Sequence, residues 1–94
     1  MSALLDMITR AVERTVEGAV THRESVPVIE THRGQVVWEG TVEVFDVATP
    51  PPALAYGWAV EGEKEPQYIA VLGQPPVDSP LAAVRVWLVS LARK

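Results

Sequence analysis

The sequence predicts a single α+β domain over residues 1–94, with an antiparallel sheet of three to four strands and two helices packed on one face. Two observations predict this class. An amphipathic stretch near the N-terminus and a helix-start signal near residue 80 enclose four stretches with strand composition, which gives the order α-β-β-β-β-α. A length of 94 residues fits one domain. Placing both helices on one face of the sheet is the simplest packing for this order.

The N-terminal helix is predicted over residues 3–19. At 100° per residue its charged side chains fall within one arc and its apolar side chains on the other side, which is typical of a surface helix. Gly18 is a suitable residue to end it. The charged residues of this arc are Asp6, Arg10, Glu13, Arg14 and Glu17.

The first two strands are predicted at residues 26–31 and 36–47, joined by a turn at 32–35. Pro27 cannot donate a hydrogen bond to a neighbouring strand, so the first strand is expected at an edge of the sheet. The second strand, VVWEGTVEVFDV, alternates Val and aromatic residues with polar ones and is the strongest strand signal in the chain. Gly40 inside it predicts a β-bulge.

Two further strands are predicted at residues 55–61 and 67–72. The three prolines at positions 50–52 end the second strand and form a stiff connector to the third. The charged segment EGEKEP between the last two strands is typical of a hairpin turn.

Residues 81–92 have the β-branched content of a strand, yet the sequence around them predicts a helix. Ser79 can cap a helix, Pro80 suits its first position, and Arg93 and Lys94 suit its end. Apolar residues occur nearly all the way round this helix. Such a helix is usually covered on more than one side.

The composition argues against several classes of function. The chain has no cysteine, which excludes disulfides, Cys-based zinc sites and thiol catalysis. Its net charge is −4 and its basic residues are scattered, so nucleic-acid binding is not favoured. No phosphate-binding or hydrolase motif occurs, and we assign no catalytic residue, metal or cofactor. No signal peptide or membrane span is predicted, and we expect a soluble, cytoplasmic protein.

The absence of asparagine and the eight prolines have two interpretations. Loss of thermolabile residues and stiff loops are features of proteins from thermophiles. A GC-rich genome gives a similar composition. Neither interpretation bears on activity.

The only two histidines, His22 and His32, lie in a repeated Thr-His-Arg triplet. We place both in connections, before and after the first strand. An extended segment of ten residues separates its ends by roughly 30 Å, whereas zinc ligands lie about 2.1 Å from the ion, so the pair does not form a metal site. His32, with Glu30 and Arg33, is one polar corner of a candidate site.

The aromatic residues give the main functional hypothesis. Both faces of the predicted sheet carry apolar side chains, and two helices on one face would leave the other uncovered. We therefore predict protein–protein contact, through a homodimer or another protein, with an interface at Tyr56, Trp58, Trp38 and Trp87. The alternatives are a small-ligand or enzymatic site on this aromatic face, and a platform for nucleic-acid bases.

A further alternative is RNA binding. The order helix, three core strands, helix resembles the arrangement of double-stranded RNA-binding domains. The resemblance is one of topology alone, and those domains bind phosphates through basic loops. The segment PPVDSP stands before the last helix of this chain instead.

Overall fold

A computed structural model describes residues 3–48, 52–62, 64–74 and 77–92 and shows a four-stranded antiparallel sheet between two helices. The α+β class and the order α-β-β-β-β-α are confirmed. Most of the predicted proline connector, residues 49–51, and the cations Arg93 and Lys94 lie outside the described residues. The elements are α1 (Ala3–Val16), β1 (Val20–His32), β2 (Gln35–Val47), β3 (Ala53–Val60), β4 (Gln67–Gly73) and α2 (Pro80–Ala92).

The strands lie in the order β1-β2-β3-β4. β1 and β2 pair along their whole length, from Val20 opposite Val47 to His32 opposite Gln35. β2 pairs with β3 only over the last residues of β2, 43–47. The outer part of the β1–β2 hairpin, residues 26–42, is therefore a two-stranded projection, which we call the arm.

The two helices cover opposite faces of the sheet, so the prediction that both pack on one face is wrong. The neighbouring β2 residues Val44 and Phe45 point to opposite faces, as successive strand residues must. Phe45 packs beneath α1 in a cluster with Val12, whereas Val44 packs beneath α2 in a cluster with Val84. The apolar residues on both faces of the central strands therefore require one helix on each side.

α1 ends three residues earlier than predicted. Glu17 takes a left-handed conformation, with φ of 57°. The backbone N–H of Gly18 donates a hydrogen bond of 3.2 Å to the carbonyl of Glu13. These two features form a Schellman motif, which satisfies a carbonyl at the end of the helix.

The tight turn between β1 and β2 is confirmed. Arg33 and Gly34 have positive φ angles of 54° and 80°. Two central residues of positive φ define the type I′ turn, whose twist matches that of the flanking strands. β1 spans Val20–His32 rather than residues 26–31, so the prediction that both histidines lie in connections before and after the first strand is wrong.

The predicted β-bulge at Gly40 is also wrong. Gly40 lies in regular register opposite Val28, and the irregularities of this hairpin fall between His22 and Glu24 and between Glu30 and Thr31. A Cβ atom at Gly40 would lie 2.8 Å from the Cη2 atom of Trp38. The glycine thus provides space for an indole ring rather than for a bulge.

α2 begins as predicted, with Pro80 at its first position. The backbone N–H of Ala82 donates a hydrogen bond of 3.1 Å to the Ser79 hydroxyl, which caps the helix. Residues 81–92 are therefore helical. Neither described helix has the length and apolarity that a bilayer crossing requires.

Candidate functional site

The predicted interface aromatics lie together, but they face inward. The indole rings of Trp38, Trp58 and Trp87 contact one another edge to face, with centroid separations of 5.8 to 6.4 Å. Trp58 is 0% exposed and Tyr56 is 2% exposed beneath α2. These two residues belong to the core and are not an accessible interface. The three indole rings fill the centre of the aromatic face, while Tyr56 also lines a separate groove of about 420 Å³ with Leu54, Val77 and Asp78.

The exposed apolar surface lies elsewhere, on the outer side of α2 and at the tip of the arm. Five of the eight exposed large apolar residues of the described chain are found there, each between 45 and 58% exposed. They are Val86, Val89 and Leu91 on α2, and Val36 and Val37 on β2.

α1 and α2 differ in this respect, although they have nearly the same length. The outer side of α1 carries charged residues, among them Asp6 in its first turn and Arg14 in its last. α2 contains no acidic residue, and Arg85 is its one charged side chain in the described chain. One side of α2 packs on the sheet, and its outer side exposes three large apolar residues, Val86, Val89 and Leu91, beside the polar Arg85 and Ser90. An ordinary surface helix carries mainly polar residues on that side.

A groove of about 480 Å³ runs between the arm tip and the C-terminal half of α2. Its apolar lining consists of one side chain from the arm and three from α2. Polar groups from the end of β1 close its other side. We call this the α2–arm groove; it is lined by Glu30, Thr31, His32, Val37, Arg85, Leu88, Val89 and Ala92.

An ion pair at the edge of the groove joins the arm to α2. The Arg85 guanidinium donates a hydrogen bond to the buried Glu30 carboxylate. The backbone N–H of Thr31 donates a second hydrogen bond, of 2.9 Å, to the other oxygen of that carboxylate. A carboxylate with two donors and a cationic partner can be buried at modest cost.

These contacts shift the titration of the carboxylate. The hydrogen bond from Arg85 lowers the pKa of Glu30 below its ordinary value of 4.5. Burial acts in the opposite direction and is outweighed, and the hydrogen bond from Thr31 adds to the lowering. The ion pair reciprocally raises the pKa of Arg85. Both side chains therefore stay charged at neutral pH.

We expect Glu30→Gln to reduce stability at neutral pH by an amount that shrinks in acid. Because the folded-state pKa of Glu30 is lowered, its contribution is full above 4.5 and is lost as the pH falls through the folded-state value. The measurement is urea unfolding of the wild type and the variant at a series of pH values.

The matched control is Glu39→Gln, which removes one charge from an exposed carboxylate of β2. It corrects for the change in net charge. The ion pair does not act as described if the difference in free energy of unfolding between the wild type and Glu30→Gln stays the same from neutral pH to below 4.5.

The structure separates the three residues of the predicted polar corner. Glu30 and His32 both line the groove, whereas Arg33 occupies the β1–β2 turn. The partner that sequence reasoning missed is Arg85, 55 residues from Glu30. One signal was present: Glu30 shares the α2 face of β1 with Val28, and a carboxylate on an apolar face needs a cation.

A second polar cluster, which the sequence did not indicate, lies on the α1 side of β1 and β2. His22 Nε2 lies 2.8 Å from Glu43 Oε1, and the Ser25 hydroxyl donates a hydrogen bond to the same oxygen. The carboxylate thus lies between the hydroxyl and the imidazole. A catalytic triad needs the imidazole in contact with the hydroxyl, so this cluster joins two strands without activating Ser25.

The described residues lend no support to the RNA-binding alternative and show no cluster of metal-ligating side chains. No group of three or more His, Asp or Glu side chains in that part of the chain is placed to hold a metal ion. Arg23 and Arg85 are each engaged by a carboxylate, Asp46 and Glu30 respectively. This charge distribution gives the RNA-binding alternative no support.

Comparisons with known proteins do not indicate a function for this chain. The chain matches no protein-family model, no curated protein and no solved structure. The chemistry of the α2–arm groove and of the exposed valines beside it is therefore the basis on which function can be inferred.

Proposed function

We propose that the protein acts by binding another protein chain through the α2–arm groove and the outer side of α2. The observation that carries this proposal is the contrast between the two helices. The outer side of α1 carries several charged residues, whereas that of α2 exposes Val86, Val89 and Leu91, with Arg85 as its one charged residue, beside a groove. A contiguous exposed apolar surface of this kind is typical of an interaction site.

The shape and composition of the surface support a protein partner. Aliphatic side chains form a ridge along α2 at Val86 and Val89, spaced one helical turn apart. Glu30 and Arg85, which both line the groove, form an ion pair at its edge. An apolar centre with polar groups at the margin is the usual anatomy of a protein interface.

A photoreactive residue tests the proposal directly. We expect benzoylphenylalanine in place of Val89 to give a cross-linked adduct of defined mass when the chain is illuminated in the cells that naturally contain it. Val86→Asp in the same chain will reduce that adduct at least about tenfold, since a charge in an apolar contact costs on the order of 2 kcal/mol or more.

The control places the same photoreactive residue at Leu4. Leu4 on α1 is 50% exposed and Val89 is 51% exposed, so the two positions are equally accessible to random collisions. Equal adduct yields from the two positions, or no effect of Val86→Asp, would contradict the proposed contact surface.

A further inference from the structure

We infer that the groove beside Tyr56 binds a small organic cation, an ammonium group on an apolar body, through the Tyr56 hydroxyl and the Asp78 carboxylate. We call it the Tyr56 groove; it is lined by Tyr56 and, among others, Pro52, Leu54, Gly73, Val77 and Asp78. Its volume of about 420 Å³ falls in the range of small-molecule sites. It lies at the opposite end of α2 from the α2–arm groove, so the inference goes beyond the proposed function and is independent of it.

The Tyr56 hydroxyl is a polar group without a partner on a side chain that is otherwise buried. Tyr56 is 2% exposed, and its hydroxyl makes no hydrogen bond with any of the described residues. The oxygen itself is not sealed, because Trp58 Nε1 is the one fully buried side-chain nitrogen or oxygen without a partner in that part of the chain. The remaining exposure of Tyr56 therefore opens on the groove that it lines. Since buried polar side chains nearly always have a partner, this hydroxyl is available to a ligand.

Gly73 keeps the ring edge beside that hydroxyl accessible. A Cβ atom at Gly73 would lie 3.0 Å from Cε2 of Tyr56, the ring carbon next to the one that bears the hydroxyl. The absence of a side chain gives a ligand access to both the hydroxyl and the edge of the ring. Pro52, Leu54 and Val77 supply apolar lining, which suits the apolar body of a small molecule.

The charges around the groove favour a cationic ligand. Arg23 lines the groove, but its Nη1 atom lies 3.0 Å from Asp46 Oδ1 and its Nε atom 3.9 Å from Glu24 Oε2. Asp78 forms an ion pair with none of the described residues. Because two carboxylates already engage Arg23, the unpaired charge at the groove is the negative charge of Asp78.

One head group can contact both polar groups of the groove. Burial raises the pKa of Tyr56, and the negative charge of Asp78 raises it further, so the carboxylate lies near enough to act on the hydroxyl. An ammonium group has three donors, and both the carboxylate and the phenol oxygen accept hydrogen bonds. The bond from an ammonium to a carboxylate is charge-assisted and stronger than a neutral one.

A nuclear magnetic resonance titration of the isotope-labelled chain tests the inference with three probes of similar aromatic body and different charge, namely phenethylammonium, phenethyl alcohol and hydrocinnamate. We expect phenethylammonium to shift the backbone amide signals of Leu54, Gly73 and Asp78 with a dissociation constant of about 1–10 mM, as suits a ligand of about nine heavy atoms. The alcohol and the carboxylate will bind at least about threefold more weakly. Equal binding of the three probes, or shifts confined to Val37 and Val89 in the α2–arm groove, would overturn the inference.

Asp78→Asn and Tyr56→Phe test the two polar groups separately. Ser79 rather than Asp78 caps α2, and phenylalanine keeps the buried ring, so we expect both variants to fold. Asp78→Asn will weaken the binding of phenethylammonium about three- to tenfold and Tyr56→Phe about two- to fivefold. The matched control is Asp6→Asn, which removes an exposed carboxylate from α1 and will bind as the wild type does. Wild-type affinity in either groove variant, or an equal loss in Asp6→Asn, would refute the site.

Discussion

Replacing Trp58 with alanine will destabilise the fold by about 3–5 kcal/mol, the usual cost of removing a fully buried aromatic side chain. Trp58 is 0% exposed and contacts the rings of both other tryptophans. A domain of this size has a total stability of about 5–15 kcal/mol, so the variant will retain little of it. Urea unfolding followed by far-ultraviolet circular dichroism measures the loss without depending on tryptophan emission.

Trp58→Phe is the matched variant. The indole N–H of Trp58 is buried and has no hydrogen-bond acceptor among the described residues, which costs on the order of 1–3 kcal/mol in the wild type. Phenylalanine removes that donor and leaves a smaller cavity than alanine does. We therefore expect Trp58→Phe to cost clearly less than Trp58→Ala. An alanine variant as stable as the wild type would contradict the assignment of Trp58 to the core.

Replacing Gly57 with alanine will destabilise the packing of α1 on the sheet by about 1–3 kcal/mol. A Cβ atom at Gly57 would lie 2.7 Å from Cγ2 of Ile8 and 2.8 Å from Cγ2 of Val12. Both side chains are themselves buried. Because they have no free space to retreat into, α1 must shift away from β3. Thermal and urea unfolding of the variant measure the effect.

Gly18→Ala is the control for this prediction. A Cβ atom at Gly18 would have no heavy atom within 4 Å, so the same substitution there meets no obstacle. Its expected effect is near zero or a stabilisation of about 0.4–1 kcal/mol from the loss of unfolded-chain entropy. Equal losses of stability in the two variants would contradict this prediction, because the loss of any glycine, rather than the close approach of α1 to Gly57, would then explain the effect.

Several features of the fold follow from local sequence. A hydroxyl followed by proline begins α2 at Ser79 and Pro80 because it supplies a cap and a fixed φ angle. Gly34 permits the tight β1–β2 turn, with Arg33 also in the left-handed region. Such signals act within a few residues and require no knowledge of the rest of the chain.

The candidate site was only half predictable. The apolar character of α2 on all sides indicated contact with more than the sheet, and Glu30 and His32 were selected from β1. Their position beside Val89 was not predictable, because nothing in residues 20–32 specifies which helix lies against them. Trp58 and Tyr56 were predicted at an interface but lie in the core, because their exposure depends on what covers each face of the sheet.

The sequence by itself determined the number, type and order of the elements, and it supplied both faces of β2 with apolar residues. Only the tertiary structure decided that α1 covers the face of Phe45 and α2 the face of Val44. It also brought Arg85 to Glu30 across 55 residues. The physical reason is range: capping, turn geometry and alternation are fixed by near neighbours, whereas burial and ion pairing depend on segments that meet only when the whole chain has folded.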